Sequence, residues 1–201
     1  ALVIPAHVWT PWFAVFGSMS GYDSLEDCFE DLTPKILAIE TGLSSDPAMN
    51  WRLSQLDSVA LISSSDAHSP RKIGREATQL QGELSYPALR EALRTGAPRR
   101  FHEQPGSPAR IISTIEFFPE EGKYHLDGHR ACQVVMSPEQ RKANGPNCPK
   151  CLKPLTIGVL SRIEELGDRL PQDKPSAPEF NSLVPLEEIV AESLSIKVGS
   201  K

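Results

Sequence analysis

Short apolar runs that stop abruptly at a polar or titratable residue set the pattern of this chain. Leu2-Val3-Ile4 runs out just before His7, and Ile36-Leu37-Ala38-Ile39 ends at Glu40. Val59-Ala60-Leu61-Ile62 gives way to Ser63-Ser64-Ser65-Asp66-Ala67-His68. Continuous apolar runs of this length predict buried strands. Side chains alternate along a strand, so Asp66 and His68 share a face if the backbone stays extended. Glu40 follows His7 by 33 positions and Asp66 follows Glu40 by 26. Both intervals suit one βα unit of about 30 residues. The fold class expected is therefore α/β, with a parallel barrel carrying its chemistry at the C-terminal strand ends. Asp-x-His alone would equally suit a bland strand end. The three strand ends together favour a metal or catalytic cluster.

The longer segments alternate on a helical period. Asp23-Ser24 predicts a helix start, with Leu25, Cys28, Phe29 and Leu32 on one apolar stripe. A short helix is expected from Met49 to Leu56, and another from the cap Ser85 through Leu93 to a stop at Gly96. Ile111 to Leu126 reads as two strands around Pro119-Glu120-Glu121-Gly122. Leu155 to Leu166 turns into a helix with Arg162, Glu164 and Glu165 on its exposed side. Residues 167–181 read as a linker, and Pro185 to Leu194 as an amphipathic helix. The Gly-, Pro- and Arg-rich stretch at 96–110 suggests a boundary. Residues 1–100 would be the C-terminal part of a barrel and 101–170 a small α+β module. Residues 171–201 would be a linker and the start of a helical segment.

The 201 residues are 39% hydrophobic and 23% charged, ordinary for a globular protein. No apolar run approaches the ~20 residues that span a bilayer. The first residues have neither the basic start nor the cleavage site of a signal peptide. An expected core strand begins at residue 2, and Lys197-Val198-Gly199-Ser200-Lys201 brings no closing element. Both features suggest an internal stretch of a longer, cytoplasmic chain. The net charge of −5 argues against a uniformly basic nucleic-acid binder, but it is unevenly spread. Residues 1–70 carry 2 basic and 9 acidic side chains, and residues 71–110 carry 8 basic and 4 acidic. An acidic part around a metal centre followed by a basic stretch suits a phosphate-bearing substrate. Arg71, Lys72 and Arg75 are candidates to hold its phosphates, and Arg52 is either a further phosphate ligand or a plain salt-bridge partner.

Two further stretches carry chemistry. His7-Val8-Trp9-Thr10-Pro11-Trp12-Phe13-Ala14-Val15-Phe16 packs four aromatics behind a strand end. Trp9, Trp12 and Phe13 could stack a planar base, or simply plug the barrel mouth. His129-x2-Cys132 and Cys148-x2-Cys151, with 15 residues between them, give four ligands in two knuckles, the spacing of a structural zinc site. His125 is an alternative fourth ligand. Such knuckles often place glycine after the last cysteine, where φ is positive; this chain has Leu152. Cys28 stands apart on its helix stripe, and the uneven cysteine spacing suits a reducing compartment.

His7, Glu40 and Asp66-Ala67-His68 resemble the later motifs of the PHP (polymerase and histidinol phosphatase) metallohydrolases. The stretches His7–Phe13, Ile39–Pro47, Ser65–Pro70 and Tyr124–Arg130, with Cys148-Pro149-x-Cys151, are similar to the endonuclease Q branch of that group over nearly the whole chain. The resemblance implies a distorted seven-stranded β/α barrel holding two or three divalent metals (zinc, manganese or magnesium). It implies DNA repair cleavage 5′ of deaminated bases (uracil, hypoxanthine, xanthine) or abasic sites, with a replication sliding clamp as a further partner. His7, Asp66 and His68 would bind the barrel metals, and Asp66, His68 and Glu40 would be catalytic. The family's first histidine motifs are absent, so this stretch alone is expected to be inactive. No Walker-type phosphate loop supports a helicase. A small-molecule phosphatase on the same barrel and a non-catalytic zinc-stabilised DNA-binding module are the rival readings.

Overall fold

The computed structural model describes residues 1–198; the chain end from Gly199 to Lys201 lies outside them. Helix α1 (Leu25–Phe29) is capped by Ser24, whose Oγ accepts the Asp27 amide. The helix stops short of Leu32, because the backbone turns to positive φ at Glu30 and continues as a 3-10 turn over Glu30–Lys35. Strand β1 (Ala38–Glu40) is buried throughout. Helix α2 (Pro47–Asn50), capped by Asp46, and a 3-10 turn at Ser54–Ser58 lead to β2 (Ala60–Ile62). β1 and β2 pair in parallel, Ala38 opposite Ala60 and Glu40 opposite Ile62. That is the arrangement the strand-end pattern requires.

No strand forms at Leu2-Val3-Ile4. The segment nonetheless runs beside β1: the Glu40 amide donates to Pro5 O, and the Val8 amide donates to Glu40 O. Strand β3 (Ala77–Gln81) and helix α3 (Tyr86–Thr95) follow, with Ser85 as the cap and Gly96 at the end, as the sequence predicts. Residues 111–126 yield one strand, β4 (Arg110–Glu116), because the chain turns into a 3-10 segment at Pro119–Glu121. Strands β5 (Asp127–His129) and β6 (Val134–Met136) form a hairpin, and helix α4 (Pro138–Asn144) opens on a capping box from Ser137 and Gln140. Helix α5 (Val159–Leu166), strand β7 (Glu179–Ser182) within the expected linker, and helix α6 (Leu186–Ser193) complete the order.

β3 runs antiparallel to β4, and β4 runs parallel to β7, making a three-stranded mixed sheet. The chain is thus mixed α/β, with a parallel pair, a mixed sheet and a small hairpin among the described residues. One core gathers Trp9, Phe16, Leu25, Ile39, Leu53, Val59, Val159 and Ile163. α5 therefore packs into the same core as the parallel strands.

Asp127 holds this packing together. Its fully buried carboxylate accepts the Gly158 amide at 2.6 Å and the Ser161 hydroxyl at 2.8 Å, and it pairs with Arg141 Nε at 2.5 Å. The carboxylate caps α5 from another strand, where Gly158 has no side chain to do so. Gly158 is obligatory there: a Cβ would sit 2.3 Å from Leu126 C. Arg162, expected on the exposed side of α5, is buried. It donates to Phe16 O, Tyr22 O, Asp23 and Glu165, so its guanidinium pins the aromatic loop to α5. Truncating Asp127 leaves Arg141 and the α5 amide without partners. Asp127→Ala is expected to lower unfolding free energy by about 2–4 kcal/mol in urea denaturation; a loss under about 0.5 kcal/mol, the surface-substitution range, would contradict this role.

Candidate functional site

The C-terminal ends of β1 and β2 bring Glu40, Thr41 and Ser63 to one edge. The buried Glu40 accepts the backbone amide of His7 at 2.6 Å, so it touches the main chain of that residue and not its ring. The His7 ring approaches Thr10 Oγ1 at 3.4 Å. Asp66 adopts φ 46°, which breaks the extended run; a short polar side chain tolerates that region. Asp66 and His68 therefore do not share a strand face. His68 folds back so that Nδ1 lies 2.8 Å from Asp66 O, with its side chain 86% exposed. His7, Glu40, Asp66 and His68 do not converge on one point as placed. Among the described residues, one group of three or more His, Cys, Asp and Glu brings its ligand atoms together, and it lies elsewhere.

That group is His129, Cys132, Cys148 and Cys151, whose ligand atoms all lie within 4.8 Å of one another. β5 delivers His129, a 3-10 turn over Arg130–Cys132 delivers the first thiol, and Gln133 at φ 51° closes that knuckle. The Leu152 amide donates to Cys148 O, and the Cys148 amide to Lys153 O, both at 2.8 Å, making the second knuckle. Leu152 takes φ 62°, the strained position expected from its missing glycine. Burial raises the Cys148 thiol, yet the amides of Lys150 and Cys151 win and its pKa falls. The Cys132 thiol is pushed up to about 11, chiefly by its hydrogen bond with Cys151. One nitrogen and three sulfurs at this spacing suit a single tetrahedral metal. His125 is not part of it; its Nδ1 lies 3.2 Å from Ser44 O, inside the fold.

A cavity of about 520 Å³ lies between the aromatic loop and this hairpin, lined by Trp12, Tyr124, Lys123, His129, Arg130 and Thr156 among others. Trp12 meets Tyr124 edge-on at 6.0 Å, and Lys123 sits over the Tyr124 ring. Phe13 is 95% exposed. Trp9 departs from the ligand wall expected of it. Its buried indole stacks on Phe16 and donates to Asn50 Oδ1 at 2.8 Å, which makes it core. Arg52 donates through Nε to Arg169 O and lies along that backbone. Lys72 faces Glu187 at 3.7 Å, and Arg75 Nε donates to Ser65 O at 2.8 Å, closing the loop after β2. Arg71 is exposed and forms no ion pair among the described residues.

Two further carboxylates lie at this edge, and the strand-end reasoning passed over them. Glu76 and Glu116 are 2% and 0% exposed. Burial pushes Glu116 up to about 8 and Glu76 up to about 7. The signal was the largely β-branched stretch Ile111-Ile112-Ser113-Thr114-Ile115 ending at Glu116, a strand end like that at Glu40 but interrupted by two hydroxyl residues. In the unfolded chain both groups ionise near 4.5. The folded chain holds their protons further, so the unfolded state binds fewer protons between those limits. Their contribution to stability is full below about pH 4.5 and is lost as pH rises through 7 and 8. With chelator present, Glu116→Gln should flatten that loss by the order of 2 kcal/mol between pH 5 and pH 8. Equal pH slopes for variant and wild type in urea melts would contradict it.

No family model matches the chain. It is 31% identical over 198 residues to an uncharacterized protein of Methanocaldococcus jannaschii, covering 94% of this chain and 22% of that one. It is 33% identical over 189 residues to the uncharacterized protein YqxK of Bacillus subtilis, covering 92% and 44%. The crystal structure of the lesion-specific endonuclease PfuEndoQ from Pyrococcus furiosus superposes with a TM-score of 0.79 at 31% identity. A complex of endonuclease Q with a 27-mer duplex substrate bearing an abasic lesion superposes with a TM-score of 0.81 at 30% identity. Both structures cover all of this chain, which spans 47% of theirs. The chain is thus similar in sequence and fold to endonuclease Q along its whole length, and it spans just under half of that enzyme.

Proposed function

We propose that the protein is a DNA repair endonuclease cutting on the 5′ side of deaminated bases or abasic sites. The observation that carries this is the whole-chain match to a structure holding a lesion-bearing duplex. The cavity beside Trp12 and Tyr124 supports it. An aromatic-walled space of about 520 Å³ is wide enough for one extruded base. Extrusion costs least where the base pair is already damaged. Arg71 and Arg75 stand at the loop after β2, where they would neutralise phosphate charge. No helix among the described residues is long and apolar enough to cross a membrane.

On this reading residues 1–100 contribute part of a PHP barrel, 101–170 the zinc module, and the remainder a linker into a helical segment. A sliding clamp is a further expected partner. His129, Cys132, Cys148 and Cys151 would hold one zinc, fixing the wall of the cavity to which His129 belongs. His7, Asp66 and His68 are assigned to the barrel metals, with Glu40 behind them. Bound there, divalent ions would supply an activated water and offset phosphate charge. As placed, these side chains do not close on an ion. His7 instead anchors its loop to Glu40 through its amide. With so few donors at the mouth, this stretch alone is expected to be inactive.

Metal analysis of the purified protein should find about one tightly held zinc per chain, as a four-ligand site requires, and Cys148→Ser should lose it. Unchanged zinc in that variant would break the quartet assignment. On a uracil-containing duplex, Asp66→Asn should lower the cutting rate of the full-length protein by orders of magnitude while leaving its melting temperature within a few degrees. Near wild-type cutting would remove Asp66 from the site. Hydrolysis of p-nitrophenyl phosphate without duplex cutting would favour the phosphatase reading.

A further inference from the structure

The mixed sheet brings Glu76 and Glu116 face to face. Ala77 pairs with Ile115 and Thr78 with Thr114, so the same antiparallel register carries Glu76 opposite Glu116. Like charges directly opposite on neighbouring strands destabilise a sheet, and these two are buried. Each has one oxygen in use. Glu76 Oε1 accepts the Phe117 amide at 3.0 Å, and Glu116 Oε2 accepts the Thr41 hydroxyl at 2.9 Å. Glu76 Oε2 and Glu116 Oε1 have no partner.

A third, neutral group is stranded in the same place. Thr114, 3% exposed, lies two residues before Glu116 on β4, on the same face, and its Oγ1 has no partner. Buried polar atoms are rarely left unpaired, and here three orphan oxygens cluster. Neither carboxylate forms an ion pair among the described residues; Arg75, the cation nearest in chain to Glu76, spends its Nε on Ser65 O. The charge of Arg75 offsets part of the effect of Glu76's burial, and Glu40 and Asp66 add negative charge against it.

We infer that Glu76 Oε2 and Glu116 Oε1, with Thr114 Oγ1 beside them, hold a hard divalent cation of the magnesium class. Two carboxylates with the remaining positions filled by water are the usual protein share of such a site. An all-oxygen donor set favours such an ion over softer metals that prefer sulfur and nitrogen. The site is separate from the Cys/His quartet and from the exposed His68. It lies behind the strand-end edge, because Thr41 joins Glu116 to the residue after Glu40, and Ser63 Oγ joins Ile115 O to the end of β2. A cation here offsets the burial, and the smaller mutual repulsion, that otherwise keep both acids protonated. Affinity therefore rises with pH as the ion displaces their protons.

The test titrates the zinc-loaded protein with manganese chloride at pH 7.5, reading free manganese by electron paramagnetic resonance and thermal stability in parallel. Wild type should take up one manganese that magnesium displaces, and its melting temperature should rise. Glu76→Gln and Glu116→Gln should each weaken uptake at least tenfold and lose the thermal shift while still melting cooperatively. Glu26→Gln, which neutralises an exposed carboxylate on α1, should bind as wild type does, separating this site from loose binding at surface acids. Absence of uptake, uptake that survives both glutamine variants, or equal loss in Glu26→Gln would overturn the inference.

Discussion

The fold turns on one buried carboxylate. Asp127 ends the hairpin side of the structure and begins α5 by holding the amide of Gly158 and the hydroxyl of Ser161, with Arg141 as its cation. A fully buried acid is costly unless every oxygen is satisfied, and this one is satisfied from three elements at once. α5 then carries the constraint further, since Val159 and Ile163 enter the main core and Arg162 grips the backbone of the aromatic loop. Trp12 on that loop and His129 on β5 thus line the same cavity through a chain of buried polar contacts.

That chain of contacts couples the Cys/His quartet to the cavity. His129 closes the Cys/His quartet and also lines the cavity, two residues along β5 from Asp127. Loss of a structural metal would release the knuckles, whose own core is only Val134, Met136, Cys148 and Leu155. The opposite edge is built differently. There, Glu40, Glu76 and Glu116 sit buried at strand ends, stabilised by few hydrogen bonds and opposed by mutual repulsion. Strongly perturbed buried acids of this kind cluster at functional sites.

Features set by neighbours in sequence were legible before the structure. α3 begins at Ser85 and ends at Gly96 because capping is a local matter. The quartet is readable because two knuckles need fixed short spacings. The parallel pairing of β1 and β2 follows from two all-apolar runs one crossover apart. What depends on distant partners was not legible. Arg162 looks solvent-facing on its helix, yet its acceptors Phe16 and Tyr22 lie some 140 positions away. Trp9 is core because Asn50 meets its indole, and no local pattern announces that. The turn at Asp66 breaks a strand that alternation alone would have continued. Glu116 obeyed the strand-end rule already applied to Glu40, but its importance appears only when β3 sets Glu76 against it.

The central claim is lesion-directed cutting of DNA, and mapping the cut tests it most directly. A duplex with one uracil, end-labelled on the damaged strand, is incubated with the full-length protein and divalent metal beside the same duplex carrying cytosine. The account predicts one product, ending at the phosphodiester on the 5′ side of the uracil and absent from the undamaged duplex. Cutting that ignores the lesion, or none under any divalent metal, would contradict it.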